Sequence, residues 1–137
     1  MKNSLVSECN LIELSQVSNR AGNISIVEQY SSVPFSIERI YYLYDTPCSE
    51  SRGGHAHKEL SQLIVAASGS FNLTLDDGIS SKSFFLNNPN QGLLVVPGIW
   101  RDLRDFSSGS ICLVLASHKY DVSDYLRDYQ EFLNYKK

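Results

Sequence analysis

Turn signals recur roughly every 8 to 12 residues along this chain, and the segments between them are short and rich in β-formers. That rhythm favours a sandwich or barrel of short strands over a helical fold. Ser70-Phe71-Asn72-Leu73-Thr74-Leu75 alternates strictly, so its apolar side chains leave one face of a strand. Asp77-Gly78 follows as a hairpin turn and leads into Lys82-Ser83-Phe84-Phe85-Leu86. Leu11–Leu14, Asn23–Glu28, Ile37–Tyr44, Gln62–Ala67 and Gly92–Val96 read as further strands, the last closed by Pro97-Gly98. Within Ser110–Ala116 every residue after the serine is apolar, which suits a strand in the interior of a sheet.

The tail has another period. From Ser123 to Tyr135 the bulky residues Tyr125, Leu126, Tyr129, Phe132 and Leu133 fall on one stripe of a helix. Asp121 or Ser123 can cap its start. The stripe is expected to pack on the barrel or on a partner subunit. The whole of 1–137 reads as one domain, because no repeat, linker or low-complexity tract divides it.

Composition excludes several classes of function. The net charge is −3, with no clustered Lys and Arg to form a nucleic-acid footprint. No apolar run approaches the roughly 20 residues that span a bilayer. Charge and polar residues interrupt the first eight positions, unlike a secretory signal, so a cytoplasmic location is expected. Cys9, Cys48 and Cys112 are odd in number and far apart, and read as reduced thiols. Neither a phosphate-loop pattern, a Gly-x-Ser-x-Gly elbow nor a Cys-x-x-Cys pair is present.

The chemistry concentrates in Arg52-Gly53-Gly54-His55-Ala56-His57-Lys58. Gly53-Gly54 reads as a turn. On a strand, His55 and His57 project from one face. Paired imidazoles serve as metal ligands or as acid/base groups, since their pKa lies near neutrality. Arg39, Arg52, Lys58 and Arg101 flank segments expected at the mouth of the barrel. Together with the histidines they suit an anionic, phosphorylated or nucleotide-linked ligand, because a guanidinium pairs with phosphate oxygens as a planar fork.

The spacing His55-x-His57, then Gln62, then Gly69 resembles the first motif of the cupins, a double-stranded β-helix or jelly roll. Gly92 to Arg101 stands in the place of the second motif. A metal-binding cupin would supply three His and one Glu. Here Gln62 replaces the Glu, and Trp100-Arg101 stands where the third His belongs. A neutral amide is a weak ligand, and a fixed cation repels a metal ion. These departures favour metal-free acid/base chemistry, with no cofactor.

A longer ordered set narrows the resemblance. It runs from Arg39-Ile40-Tyr41-Tyr42 and Arg52-Gly53-x-His55-Ala56-His57-Lys58 through Asn88-Pro89 and Pro97-x-x-Trp100. It ends in Ala116-Ser117, Tyr120-Asp121, Asp124-Tyr125 and Arg127-Asp128-Tyr129. This resembles the sugar-nucleotide 3,4-ketoisomerases over roughly residues 10 to 135. The resemblance implies an all-β cupin with a C-terminal α-helix. It also implies an isomerase that moves the keto group of dTDP-4-keto-6-deoxyglucose from C4 to C3 through an enediol. Carried over by position, His55 is the base, His57 orients it or relays a proton, and Tyr41 donates to a substrate oxygen. Arg52 and Arg101 hold the pyrophosphate or polarise the sugar. Lys58 and Arg39 join them as substrate-binding residues.

The resemblance further implies a homodimer with exchanged N-terminal strands, and a product destined for 3-amino-3,6-dideoxy sugars of lipopolysaccharide or other surface glycans. Gly54, the segment Asn19-Arg20-Ala21-Gly22 and Arg101 depart from the usual pattern, and Arg101 leans the product toward the gluco form. Two rival readings are a 3,5-epimerase of the same sugar nucleotide and a non-catalytic sugar-binding cupin.

Overall fold

The computed structural model describes residues 2–137. Ten of its strands form two antiparallel five-stranded sheets. In chain order the strands are β1 (Asn10–Glu13), β2 (Ser15–Asn19), β3 (Gly22–Ile26), β4 (Arg39–Tyr44), β5 (Arg52–His57) and β6 (Gln62–Ser68). They continue with β7 (Phe71–Asp76), β8 (Ser81–Leu86), β9 (Gln91–Val95), β10 (Trp100–Arg104), β11 (Ile111–Ala116) and β12 (Tyr125–Leu126). The first sheet has the order β1-β9-β6-β11-β4 and the second β12-β5-β10-β7-β8. β2 and β3 pair only with each other.

The sequence pattern accounts for the layers. Phe71, Leu73 and Leu75 alternate inward from β7 and are fully buried. They meet Ile64, Ala66, Leu93 and Val114 of the facing sheet, with Leu103 and Phe106 beside them. Each such side chain contributes roughly 1.5–3 kcal/mol by leaving water. β6 has no polar alternation for a different reason. Its odd residues Leu63 and Val65 face a second cluster on the back of the sheet, with Leu14, Val33, Phe35 and Leu115. A strand covered on both faces must be apolar throughout. β11 is interior to its sheet, as its sequence implies.

Two expectations change. Gly53-Gly54 is not a turn, because β5 starts at Arg52. Arg101 pairs with His55 but Leu103 pairs with Arg52, so β5 carries one extra residue between its partners. Such a bulge re-aims the side chains beside it, and glycine tolerates the altered backbone.

The helix over 123–135 is also corrected. A 3-10 turn occupies Val122–Asp124, Tyr125 and Leu126 form β12, and α1 covers only Tyr129–Lys136. Asp121 caps the 3-10 turn and Asp128 caps α1, accepting from the Gln130 amide at 3.0 Å. Pairing with β5 overrides the helical period, since Tyr125 and Leu126 register with His57 and Ala56. The remaining stripe packs as expected on the barrel, where Phe132 is buried against Ala56 and Leu126 and against the Trp100 ring.

Candidate active site

β5 and β10 build the site between them. His55 and His57 project from one face of β5 and are buried, 7% and 2% exposed. Their rings meet edge to face, with Nε2 to Nε2 at 3.1 Å. Arg101 lies opposite His55 in the ladder and is only 2% exposed. Its Nη2 donates to Tyr41 Oη at 2.8 Å and stands 3.2 Å from His55 Nε2.

The C-terminal segment closes the rear. Asp124 Oδ2 lies 3.0 Å from His57 Nδ1. Asp124 is itself held by β5's exit loop: its Oδ1 accepts the Glu59 amide at 2.8 Å and its carbonyl accepts the Lys58 amide at 3.0 Å. The Tyr125 ring packs on both imidazoles, with centroids 5.0 Å from His55 and 4.4 Å from His57. Arg39 Nη2 donates to Tyr125 Oη at 3.1 Å, while its guanidinium covers the Tyr41 ring.

A cavity of about 290 Å³ opens in front of these groups. His55, Tyr41, Arg39, Arg52, Arg101, Tyr125 and Arg127 are among its walls. His57 sits behind His55, outside the lining. Lys58 is not brought to this cavity. Its side chain lines an outer groove with Glu38, Glu59 and Asp124. It follows His57 at the end of β5, where the alternation turns it away from the imidazoles. Asp124, Tyr125 and Arg127 were not expected as site residues. A two-residue strand carries too short a pattern to separate it from the helix that follows.

Both imidazoles bind protons weakly. Burial, then the Arg101 charge, pushes His55 down to about 2. The same causes lower His57 to about 4, opposed by the hydrogen bond and charge of Asp124. Both rings are neutral at neutral pH. The carboxylate of Asp124 can only accept, so His57 carries its proton on Nδ1. Arg101 can only donate, so His55 Nε2 accepts from its Nη2, and the neutral His55 ring carries its proton on Nδ1. Among the described residues that Nδ1 has no protein partner.

The donor set does not suit a metal ion. Arg101 occupies the place of a third ligand and brings a fixed positive charge beside His55. Gln62 belongs to the inward row Arg39-Ala116-Gln62-Val95, and its buried Oε1 has no partner among the described residues. No group of three His, Cys, Asp or Glu among the described residues is arranged to hold a metal.

Residues 7–137 match the family model described as "FdtA: WxcM-like, C-terminal". The chain is also 41% identical over 128 residues to the TDP-4-oxo-6-deoxy-alpha-D-glucose-3,4-oxoisomerase of Aneurinibacillus thermoaerophilus, covering 93% of this chain and 92% of that one. The chain belongs to the sugar-nucleotide 3,4-ketoisomerase family.

Two crystal structures of ketoisomerases superpose closely. A 3,4-ketoisomerase from Helicobacter canadensis has a TM-score of 0.92 at 41% identity, covering 94% of this chain and 97% of its own. The 3,4-ketoisomerase of Thermoanaerobacterium thermosaccharolyticum has a TM-score of 0.92 at 32% identity, covering 95% and 94%. The latter is a His-to-Asn variant in complex with TDP-4-keto-6-deoxyglucose. The cupin-like ketoisomerase fold with its C-terminal helix is the architecture read from the sequence.

Proposed function

We propose that this ketoisomerase converts dTDP-4-keto-6-deoxyglucose to the 3-keto sugar, with His55 as the base. The observation that carries the assignment is the His55 ring on the cavity wall, neutral, with His57 behind it and Arg101 beside it. The neutral His55 ring takes the C3 proton, and the C3–H electrons form the C3=C4 bond of an enediolate whose charge rests on O4. A proton then reaches C4, the O3 proton moves to O4, and C3 becomes the carbonyl. No net oxidation occurs and no cofactor is needed.

Arg101 suits the oxyanion. Its Nε and Nη1 are buried without a protein partner among the described residues. The guanidinium charge on the cavity wall favours a ligand oxygen that becomes negative only as the proton leaves. Tyr41 accepts from Arg101, which leaves its own O–H to donate to a sugar oxygen. Arg39, Arg52 and Arg127 offer guanidinium groups for the diphosphate.

The same reading makes the enzyme a cytoplasmic homodimer. Val17 and Ile24 of the isolated β2–β3 hairpin are exposed, as are Ile40, Tyr42 and Tyr44 along the edge strand β4. Hairpin exchange between two copies covers such surfaces. Arg101 keeps the gluco product favoured.

The deciding experiment is incubation with dTDP-4-keto-6-deoxyglucose, followed by NMR of the product. A C3 carbonyl with C5 unchanged supports the proposal. Inversion or solvent deuterium at C5 points to an epimerase, and an unchanged sugar points to a binding protein.

A further inference from the structure

The last residue of α1 ties two distant segments to the helix. The Lys136 ammonium donates to the Ser4 carbonyl and to the Gly98 carbonyl, each at 2.8 Å. Gly98 lies in the turn between β9 and β10 and takes a left-handed φ of +81°. Its amide donates to the His57 carbonyl at 2.7 Å. Gly98 therefore stands between the histidine strand β5 on its amide side and Lys136 on its carbonyl side. Ile99, buried in the core, and Trp100, packed on the Phe132 ring, lead from it to Arg101.

We propose that Lys136 is a positioning residue that seats Gly98 against His57 and so holds Arg101 against His55. The proposal rests on the isomerase reading and names a residue outside the cavity on which that chemistry depends.

The register explains why the seat matters. Arg101 pairs with His55, but the β5–β10 ladder shifts between Arg101 and Leu103. On that side of Arg101 the bulge disrupts the backbone pairing. On the other side, the Gly98–His57 bond is the link that keeps β10 beside β5. β7 pairs with β10 in unbroken register from Asp76 to Asn72. It lies on the opposite edge of β10, however, and does not set the distance from β10 to β5. A hydrogen bond from a charged donor is roughly twice as strong as a neutral one. Lys136 makes two, one to the turn and one to the N-terminal segment, where Asp77 Oδ2 also holds the Val6 amide at 2.8 Å.

The test compares the wild type with Lys136→Met, which keeps the stem and removes the donors. Nitrogen-15 NMR of the free enzyme reads His55 Nε2, whose resonance depends on the bond accepted from Arg101. In Lys136→Met that resonance is expected to move toward the value of an unbonded imidazole nitrogen. With dTDP-4-keto-6-deoxyglucose, kcat should fall roughly 10- to 10²-fold, since a misplacement of about 1 Å is enough for that. Affinity for dTDP, measured by calorimetry, should fall by less. Lys136→Arg keeps donors for both carbonyls and should restore part of the kcat and of the resonance. Lys137→Met removes the same charge from the exposed neighbour and should match the wild type. Should Lys136→Met fail to fold, Lys136→Gln, whose amide ends one bond short of the ammonium position, repeats both measurements with the same expectations. A folded Met or Gln variant with the wild-type resonance and kcat overturns the proposal, even if it melts earlier. An equal loss in Lys137→Met overturns it too. Failure of the wild type to isomerise the sugar strikes the functional reading instead, and the resonance measurement needs no turnover.

Discussion

Arg101 and His55 are cross-strand partners, and the buried guanidinium stands 3.2 Å from the imidazole Nε2. A cation so placed helps burial keep the imidazole neutral, and in the proposed isomerisation it would meet the charge of the enediolate. The pH profile should record both effects. With His55 at about 2, the wild type is expected to show no acid limb from this ring near 6.5, the ordinary value. Arg101→Gln removes the charge that disfavours imidazolium, so the limb should move upward. It should also cost roughly 10²- to 10³-fold in kcat, as for an oxyanion donor. A variant with full kcat and an unmoved profile would remove Arg101 from both roles.

His55→Asn tests the base directly. Asparagine keeps a polar group of similar reach but cannot take a carbon-bound proton at neutral pH. Turnover is expected to fall roughly 10²- to 10⁴-fold while dTDP binding is retained, since Arg39, Arg52 and Arg127 remain. Kinetics and calorimetry on the same preparation check it. Retained turnover sinks the assignment.

Stability should also depend on pH, and the sign follows from the lowered values. Folded His55 and His57 refuse protons that the unfolded chain accepts below about 6.5. Stability is therefore full above that pH. It declines as pH falls toward about 4, where folded His57 begins to protonate, and His55 continues the loss toward about 2. Each ring contributes up to about 1.4 kcal/mol per pH unit. Urea midpoints at several pH values between 7.5 and 5 measure the slope. His57→Asn should flatten it, and a flat wild-type curve contradicts the argument.

The strands were legible where one local rule decided them. The alternation of Phe71, Leu73 and Leu75 and the Asp77-Gly78 turn fixed a hairpin without outside help. The His pair was legible for the same reason, as a period of two on β5. The short strand β12 was not. Tyr125 and Leu126 are strand because β5 pairs with them, and their own sequence favours the helix that starts later, at Tyr129. Asp124, Tyr125 and Arg127 reach the site through that non-local pairing, so residue spacing alone could not assign them. The bulge at Gly53-Gly54 is likewise a property of the β5–β10 register, although the glycines announced an unusual backbone.

Two glycines with positive φ allow a controlled comparison. Gly69 has φ +66° and Gly109 has φ +73°. A side chain in either pays the left-handed penalty, roughly 1–2 kcal/mol. A Cβ at Gly69 would also stand 2.8 Å from the Ser110 Cα and 2.5 Å from Ser107 Oγ, while one at Gly109 meets nothing within 4 Å. Gly69→Ala should therefore be the worse of the two by about 1–3 kcal/mol. Equal unfolding midpoints would show that the β6–β7 turn yields to the methyl group.

Phe132 links the tail to the chemistry. It is fully buried on the outer face of β5, against Ala56, which lies between the two histidines. It also packs on Leu126 of β12, the strand that begins with Tyr125 and follows Asp124 directly. Phe132→Ala should cost about 3–5 kcal/mol in a well-packed site. The effect should reach beyond stability, because loosening β12 frees Asp124 and Tyr125 from the imidazoles. At a temperature where the variant remains folded, kcat should fall by more than KM for the sugar nucleotide rises, since of the cavity arginines only Arg127 follows β12 directly. A stability loss with kcat unchanged would mean that the Asp124–His57 contact holds without the helix beneath it.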